Sequence, residues 1–296
     1  MDQNEVENYL KAGEIAEKVR ENARKSIKSG MPLLEIANKI ESEIEKLGAF
    51  PAFPVNLSID EIAAHYTPSS DDETEASGLL KIDIGVSVNG FVADTAFSLD
   101  LTPEKKHEEI IKKNVEVLEN AISKLTKDSK VQDIGKAIQE KAKDSGFTVI
   151  KNLSGHSLDE DRIHAGITIS NYENENTTPL EDNAFAIEPF LTTGAGEVYE
   201  GKPSEIFMFQ SEIQVRDPEA RKIIKFIKEN YKTRPFCKRW LVKEGFKKLE
   251  FILPLLVKQD ILHNFPTLVE KSKKPVSQAE HTILITDKVE VTTECK

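Results

Sequence analysis

Asp83 and Asp94 stand eleven positions apart on either side of Asn89-Gly90. Leu80, Ile82, Ile84, Val86 and Val88 alternate with Lys81, Asp83, Gly85 and Ser87, the two-residue period of a strand, and a second strand runs from Phe91 to Leu99. With Asn89-Gly90 as a two-residue turn, the numbers of cross-strand partners sum to 179, so Asp83 faces Ala96 and Asp94 faces Gly85. The two carboxylates are then diagonal neighbours on one face, roughly 7 Å apart at Cβ. That spacing suits a pair of metal ions about 3.5 to 4 Å apart. Asp is depleted in strands, so two on one face require a reason; a solvated face of a half-exposed antiparallel sheet is the alternative.

Other candidates follow along the chain. Glu188 lies in the apolar run Ala184-Phe185-Ala186-Ile187-Glu188-Pro189-Phe190, where an unpaired carboxylate is costly. Glu280 opens the similar strand Glu280-His281-Thr282-Ile283-Leu284-Ile285, and His156 and His164 flank a short loop. Each alone also fits a solvated strand end or a structural histidine. The phosphate-cradling GxxxxGK[ST] loop, a GxGxxG turn after a strand, the GxSxG elbow and the HExxH zinc helix are absent, which removes the main support for nucleotide and serine-hydrolase chemistry. His107-Glu108-Glu109 continues wrongly for a zinc helix and is expected on a solvated helix face.

The elements that must position these groups are legible from periodicity. Three- and four-residue steps predict helices from Asn4 to Lys28, from Leu33 to Leu47 with Gly48 as a C-cap, from Thr102-Pro103-Glu104 to about Leu125, and from Lys130 to Ser145. Strands are expected near Phe147 to Ile150, Ile167 to Ser170, Ala184 to Glu188, Ile206 to Val215 and His281 to Thr286. Helix pairs between groups of hairpin-connected strands indicate an α+β architecture.

At 296 residues the chain has room for about two domains at roughly 150 each, or one domain with an insertion. Its net charge of −11 argues against general attraction to DNA or anionic lipid. Residues 216–275 depart from this, with 16 Lys and Arg against 7 Asp and Glu, a balance of +9 that leaves −20 elsewhere. This basic, helix-patterned segment reads as an insertion. The longest apolar stretches fall well short of a membrane span, no export signal is visible at the N-terminus, and Cys237 and Cys295 read as reduced thiols. A cytoplasmic location is expected.

Asp83, Asp94, His156, Glu188 and Glu280 together resemble, in order and spacing, the five-ligand dinuclear site of the methionine aminopeptidases. The surrounding words are similar to the archaeal type II branch: Ala63-Ala64-His65-Tyr66-Thr67-Pro68, Asp83-Ile84-Gly85, Asp94-Thr95-Ala96-Phe97, Ser154-Gly155-His156-Ser157, Ile163-His164-Ala165-Gly166, Ala186-Ile187-Glu188-Pro189-Phe190 and Glu280-His281-Thr282. The resemblance covers nearly the whole chain. It implies a pita-bread fold, with a curved, mostly antiparallel sheet, flanking helices, and residues 216–275 as a winged-helix-like type II insertion. One departure is Leu158-Asp159-Glu160-Asp161, more acidic than the family pattern.

The resemblance further implies removal of initiator methionine from peptides and newly made proteins with a small second residue. Two divalent ions (cobalt, manganese, iron or zinc) would hold a hydroxide that attacks the first peptide bond. By the family pattern Asp83 chelates one ion, His156 and Glu188 bind the other, and Asp94 and Glu280 bridge both. Glu188 would also shuttle the proton to the leaving amine, while His65 and His164 donate hydrogen bonds to the oxyanion or to the peptide beyond it. Phe53, Ile163 and Ile206 would line the methionine pocket. The partners expected are nascent-chain N-termini, and the protein is expected to be a monomer with no membrane or DNA partner. Lys222, Lys225, Lys238, Arg239, Lys243, Lys247 and Lys248 of the basic segment suit transient contact with ribosomal RNA, although a solvated basic helix face, with Phe236 and Trp240 as anchors, explains them as well. A prolidase relative with the same ligands and a metal-free ribosome-binding member of the fold are the competing readings; the first is disfavoured by the short segment before Phe53, the second by the presence of all five ligands.

Overall fold

Asp2 accepts a hydrogen bond from the Glu5 amide while the Glu5 carboxylate accepts one from the Asp2 amide, and this reciprocal cap starts helix α1 (Gln3–Ser26). A computed structural model gives the structure and describes residues 1–294; Cys295 lies outside the described residues. Helix α2 (Leu33–Lys46) ends before Gly48, whose φ of 81° supplies the left-handed turn that stops it. Short strands β1 (Phe50–Pro51), β2 (Asn56–Ile59) and β3 (Ile62–Ala64) lead into the long hairpin β4 (Leu79–Val88) and β5 (Phe91–Asp100). Strands β1, β2 and β5 all pair antiparallel with β4, and α1 and α2 cover one face of this sheet with a core that includes Val19, Ile36, Ile40, Ile82 and Ile84.

The second half repeats the plan. Helices α3 (Glu108–Ser123) and α4 (Val131–Ser145) precede β6 (Thr148–Val149), β7 (Ser154–Leu158), β8 (Thr168–Ser170), β9 (Asn183–Ile187), β10 (Phe190–Thr192) and β11 (Val198–Phe209). After helices α5 (Pro218–Asn230), α6 (Lys238–Lys243) and α7 (Leu249–Lys258), with β12 (Phe236–Cys237) between the first two, the chain returns through β13 (Leu262–Glu270), β14 (Val276–Gln278), β15 (His281–Ile285) and β16 (Val289–Val291). A five-stranded sheet in the order β16-β15-β9-β7-β8 packs on α3 and α4 through Val117, Ile134, Ile138, Phe185 and Ile283. Two helix-backed sheets therefore stand side by side. Paired backbone hydrogen bonds between Ala96 and Glu280 join them at their centre.

Helices α5 to α7 enclose a separate apolar cluster built on Ile223, Ile227, Phe236, Leu241, Leu253 and Leu256. Asp217 caps α5 by accepting from the Ala220 amide at 2.8 Å, with Pro218 at its first position. The expected segment 216–275 reaches beyond these helices, because β13 pairs with β11 and β3 of the main body. Among the basic residues expected to face a nucleic acid, Arg239 does not: it is buried and holds Glu41 of α2 through two contacts of 2.6 and 3.0 Å, and Trp240 donates to the same carboxylate at 2.9 Å. Lys222, Lys225, Lys238 and Lys243 each lie beside a glutamate.

Three local expectations are corrected. Helix α3 begins at Glu108 rather than near Thr102, because the Asp100 carboxylate takes hydrogen bonds from the Thr102 amide and hydroxyl and from the His107 amide, winding residues 101–107 around itself. His107 is accordingly buried at the head of α3, not solvated. Strand β11 spans Val198–Phe209 instead of Ile206 to Val215; its two register shifts flank Pro203, a residue that sheets admit at such irregularities. Among the described residues no helix is long and apolar enough to cross a membrane. Cys237 is buried, and burial pushes its thiol up to about 12, so it is an inert reduced thiol at neutral pH.

Candidate metal centre and substrate cleft

The hairpin turn adopts positive φ at both central residues, 51° at Asn89 and 93° at Gly90, and fixes the register so that Gly85 pairs with Asp94 and Asp83 with Ala96. Asp83 and Asp94 thus share a face and line the same cavity. Asp94 is held from the other sheet: its amide donates to Thr282 Oγ1 at 2.7 Å and its carbonyl accepts from that hydroxyl at 2.8 Å. The neighbouring Thr95 hydroxyl donates to the Glu280 carbonyl at 2.9 Å, so the seam between the sheets presents Asp94 and Glu280 together.

From β7, His156 brings Nε2 to 3.8 Å from Asp94 Oδ2 and 3.7 Å from Glu188 Oε1. Donor atoms of Asp94, His156 and Glu280 lie within 4.8 Å of one another. Gly155, just before His156, allows β7 to press against β9; a Cβ there would sit 2.2 Å from the Ala186 carbonyl oxygen. All five expected ligands line one cavity of about 210 Å³.

The electrostatics of this cluster are those of a cation site. Burial pushes the Asp83 carboxyl up to about 7. Burial and mutual repulsion hold Asp94, Glu188 and Glu280 well above the usual carboxylate range. Burial, with the neighbouring His164, pushes His156 down to about 3, so its imidazole is neutral and able to act as a ligand. Among the described residues no Lys or Arg lines the cavity. Asp83 Oδ1 and Asp94 Oδ1 are buried without a hydrogen-bond partner. Four carboxylates and one neutral imidazole, lacking a protein cation, fit hard or borderline divalent ions.

Around this centre the cavity is apolar. The expected pocket residues Phe53, Ile163 and Ile206 all line it, with Phe190, Pro235, Phe265 and Leu268. The Phe53 ring packs against Gly85, where a Cβ would come within 2.3 Å of it, so the ring needs a glycine beside the carboxylates. His65 and His164 line the same cavity. The His164 ring meets that of His156 edge to face at 4.5 Å and stands at the exposed rim. His65 has a φ of 66°, and its Nδ1 lies 3.1 Å from the Pro266 carbonyl. Since a carbonyl only accepts, Nδ1 carries the proton. Burial pushes His65 down to about 4, so it is neutral and its Nε2 is an acceptor. The expectation that His65 donates to the oxyanion does not match this tautomer, whose free Nε2 can only accept.

Gln278 escaped the sequence reading. Its side-chain amide donates to Glu188 at 3.3 Å and to Glu280 at 3.4 Å, aligning the carboxylates that follow β9 and precede β15. Its position two residues before Glu280, hence on the same face in an extended segment, is the signal that points to it.

A curled antiparallel framework with helices outside and four carboxylates and an imidazole at its centre defines a metal-dependent hydrolase. Residues 7–287 match the model of metallopeptidase family M24, and the chain belongs to that family, with its pita-bread fold. It is 45% identical to the methionine aminopeptidase of Pyrococcus abyssi over 98% of this chain and all of that one. It is 40% identical to that of Methanocaldococcus jannaschii with the same coverage. The crystal structure of a methionine aminopeptidase from Thermotoga maritima shares the fold at a TM-score of 0.71 and 20% identity, covering 100% of this chain and 98% of that one.

Proposed function

We propose that this protein is a cytoplasmic, monomeric methionyl aminopeptidase that removes the N-terminal methionine from peptides and newly made proteins whose second residue is small. The observation that supports this reading is that Asp83, Asp94, His156, Glu188 and Glu280 line one cavity together with the apolar side chains of Phe53, Ile163 and Ile206. Near-complete alignment with the methionine aminopeptidase of Pyrococcus abyssi supports it. In this reading the chain is one pita-bread catalytic body, with the helices of segment 216–275 as an inserted subdomain.

Asp83, Asp94, His156, Glu188 and Glu280 would hold two divalent ions of the cobalt, manganese, iron or zinc type. Bound there, such ions lower the pKa of water and polarise a carbonyl. The protein's own groups do the rest. Gln278 fixes Oε2 of Glu188 and leaves Oε1 facing the centre. From there Glu188 accepts a proton and passes it to the leaving amine. His164, at the rim, donates to the oxygen that gains charge, and His65 Nε2 accepts from the substrate backbone. Phe53, Ile163 and Ile206 receive the unbranched methionine side chain, and the free α-amino group lies beside the carboxylates.

Transient contact with ribosomal RNA would fall to Lys222, Lys225, Lys238, Lys243, Lys247 and Lys248, since Arg239 is buried. Cosedimentation with ribosomes at low ionic strength, lost as salt rises, tests that contact. The enzymatic reading is tested with protein stripped of metal, reloaded, and given Met-Ala-Ser or Xaa-Pro dipeptides. Cleavage of Met-Ala-Ser alone is expected; preference for the proline dipeptides would replace the reading with a prolidase.

A further inference from the structure

Nothing in the chemistry above uses the acidic turn Asp159-Glu160-Asp161. It is a tight turn closed by reciprocal backbone hydrogen bonds between Asp159 and Arg162. Asp161 has a φ of 52° and is buried to 7% exposure despite its charge. Its amide donates to the carbonyl of Gly90 at the hairpin tip at 2.8 Å. Its carboxylate meets Arg234 Nε at 3.1 Å and also Lys232, and its carbonyl accepts from the Thr233 hydroxyl. Arg234 is nearly buried as well, and its Nη1 reaches the Pro51 carbonyl at 3.4 Å.

These contacts converge on the pocket. Asp161 lies two residues before Ile163, Pro51 two residues before Phe53, and Arg234 immediately before Pro235. Ile163, Phe53 and Pro235 all line the cavity, yet they come from three separate segments of the chain. The Asp161–Arg234 pair is where those segments are tied together.

We propose that the Asp161–Arg234 ion pair is a specificity-determining positioning device. It sets the spacing of the Ile163, Phe53 and Pro235 walls so that the pocket takes an unbranched apolar N-terminal side chain and rejects a branched one. The proposal rests on the aminopeptidase reading above. A pair this buried holds its geometry because an unpaired charge in the same place is strongly unfavourable, and each wall is coupled to it through no more than two residues of backbone.

The test uses the full-length, metal-loaded protein and compares Met-Ala-Ser with Leu-Ala-Ser. Asp161→Asn keeps the side-chain shape and tolerates the left-handed backbone while removing the charge. The kcat/KM ratio of the methionine over the leucine peptide is expected to fall by about tenfold, the low end of what pocket fit supplies per methylene. The loss for Met-Ala-Ser should lie in KM, with kcat nearly kept. If Asp161→Asn does not fold, Asp161→Asn with Arg234→Gln removes both charges and carries the same expectation. A wild-type enzyme that cleaves Met-Ala-Ser, with variants that keep its ratio or lose both peptides equally through kcat, overturns the proposal and leaves the aminopeptidase reading standing. A metal-loaded wild type that cleaves neither peptide overturns both.

Discussion

Asp94 and Thr282 hold each other across the seam between the two sheets: the Asp94 amide donates to the Thr282 hydroxyl at 2.7 Å, and that hydroxyl donates back to the Asp94 carbonyl at 2.8 Å. One side chain thereby fixes both backbone groups of Asp94, an expected metal ligand, from the opposite half. Thr282→Val keeps the shape and leaves both groups buried and unpaired. It is expected to lower stability by about 1–3 kcal/mol, read from the urea midpoint, and to weaken divalent-ion binding in a calorimetric titration.

The buried carboxylates make the response to pH depend on metal. The Asp83 carboxyl is pushed up to about 7 from an ordinary 3.8, so its favourable contribution to the metal-free fold is complete below 3.8 and is lost as pH rises through about 7. His156, pushed down to about 3, and His65, pushed down to about 4, act in the opposite sense, but only below the ordinary histidine value of 6.5. Above that value the four raised carboxylates are opposed by Lys81, which burial pushes down to about 7 from an ordinary 10.5, one group against four. Chelated protein should therefore melt at a lower temperature at pH 8 than at pH 6.5. Added divalent ion should abolish that loss, since metal binds the ionised ligands. Parallel pH trends with and without chelator would contradict this.

Gly85 is required by Phe53, whose ring occupies the space of a Cβ. Gly85→Ala should drive the ring into the cavity without touching a ligand. An increase in KM for Met-Ala-Ser with unchanged metal content is expected, together with a stability loss of about 1–3 kcal/mol from overpacking.

Arg239 anchors the helical subdomain on α2 through Glu41, both side chains being buried. Arg239→Ala strands the Glu41 charge and should cost about 3–5 kcal/mol, measured by denaturant unfolding. Limited proteolysis should then cut first between residues 210 and 260.

The hairpin and its two aspartates were legible because a two-residue Asn-Gly turn leaves a single register, and counting from it gives the pairing of Gly85 with Asp94. Helices α1, α2 and α4 were legible from periodicity within a residue or two at each end. The misreadings share a cause. Thr102 looks like a cap only while Asp100 is ignored, Arg239 looks like a surface cation only while Glu41 is ignored, and the proton on His65 is assigned by a carbonyl 201 residues away. Local pattern carries backbone conformation; the partner that decides a polar side chain's role often comes from a distant segment. Gln278 is the same case from the other direction, an amide given its role by Glu188, ninety residues upstream.

Asp83, Asp94, His156, Glu188 and Glu280 are expected to act as one metal centre that drives removal of methionine. The most direct measurement follows metal content and Met-Ala-Ser cleavage together in a single stripped preparation as a divalent ion is titrated back, for the wild type and for Asp94→Asn. Activity that is absent without metal, rises with bound ion in the wild type and stays absent in folded Asp94→Asn is the predicted result. Full cleavage by metal-free protein, or by Asp94→Asn, would contradict it.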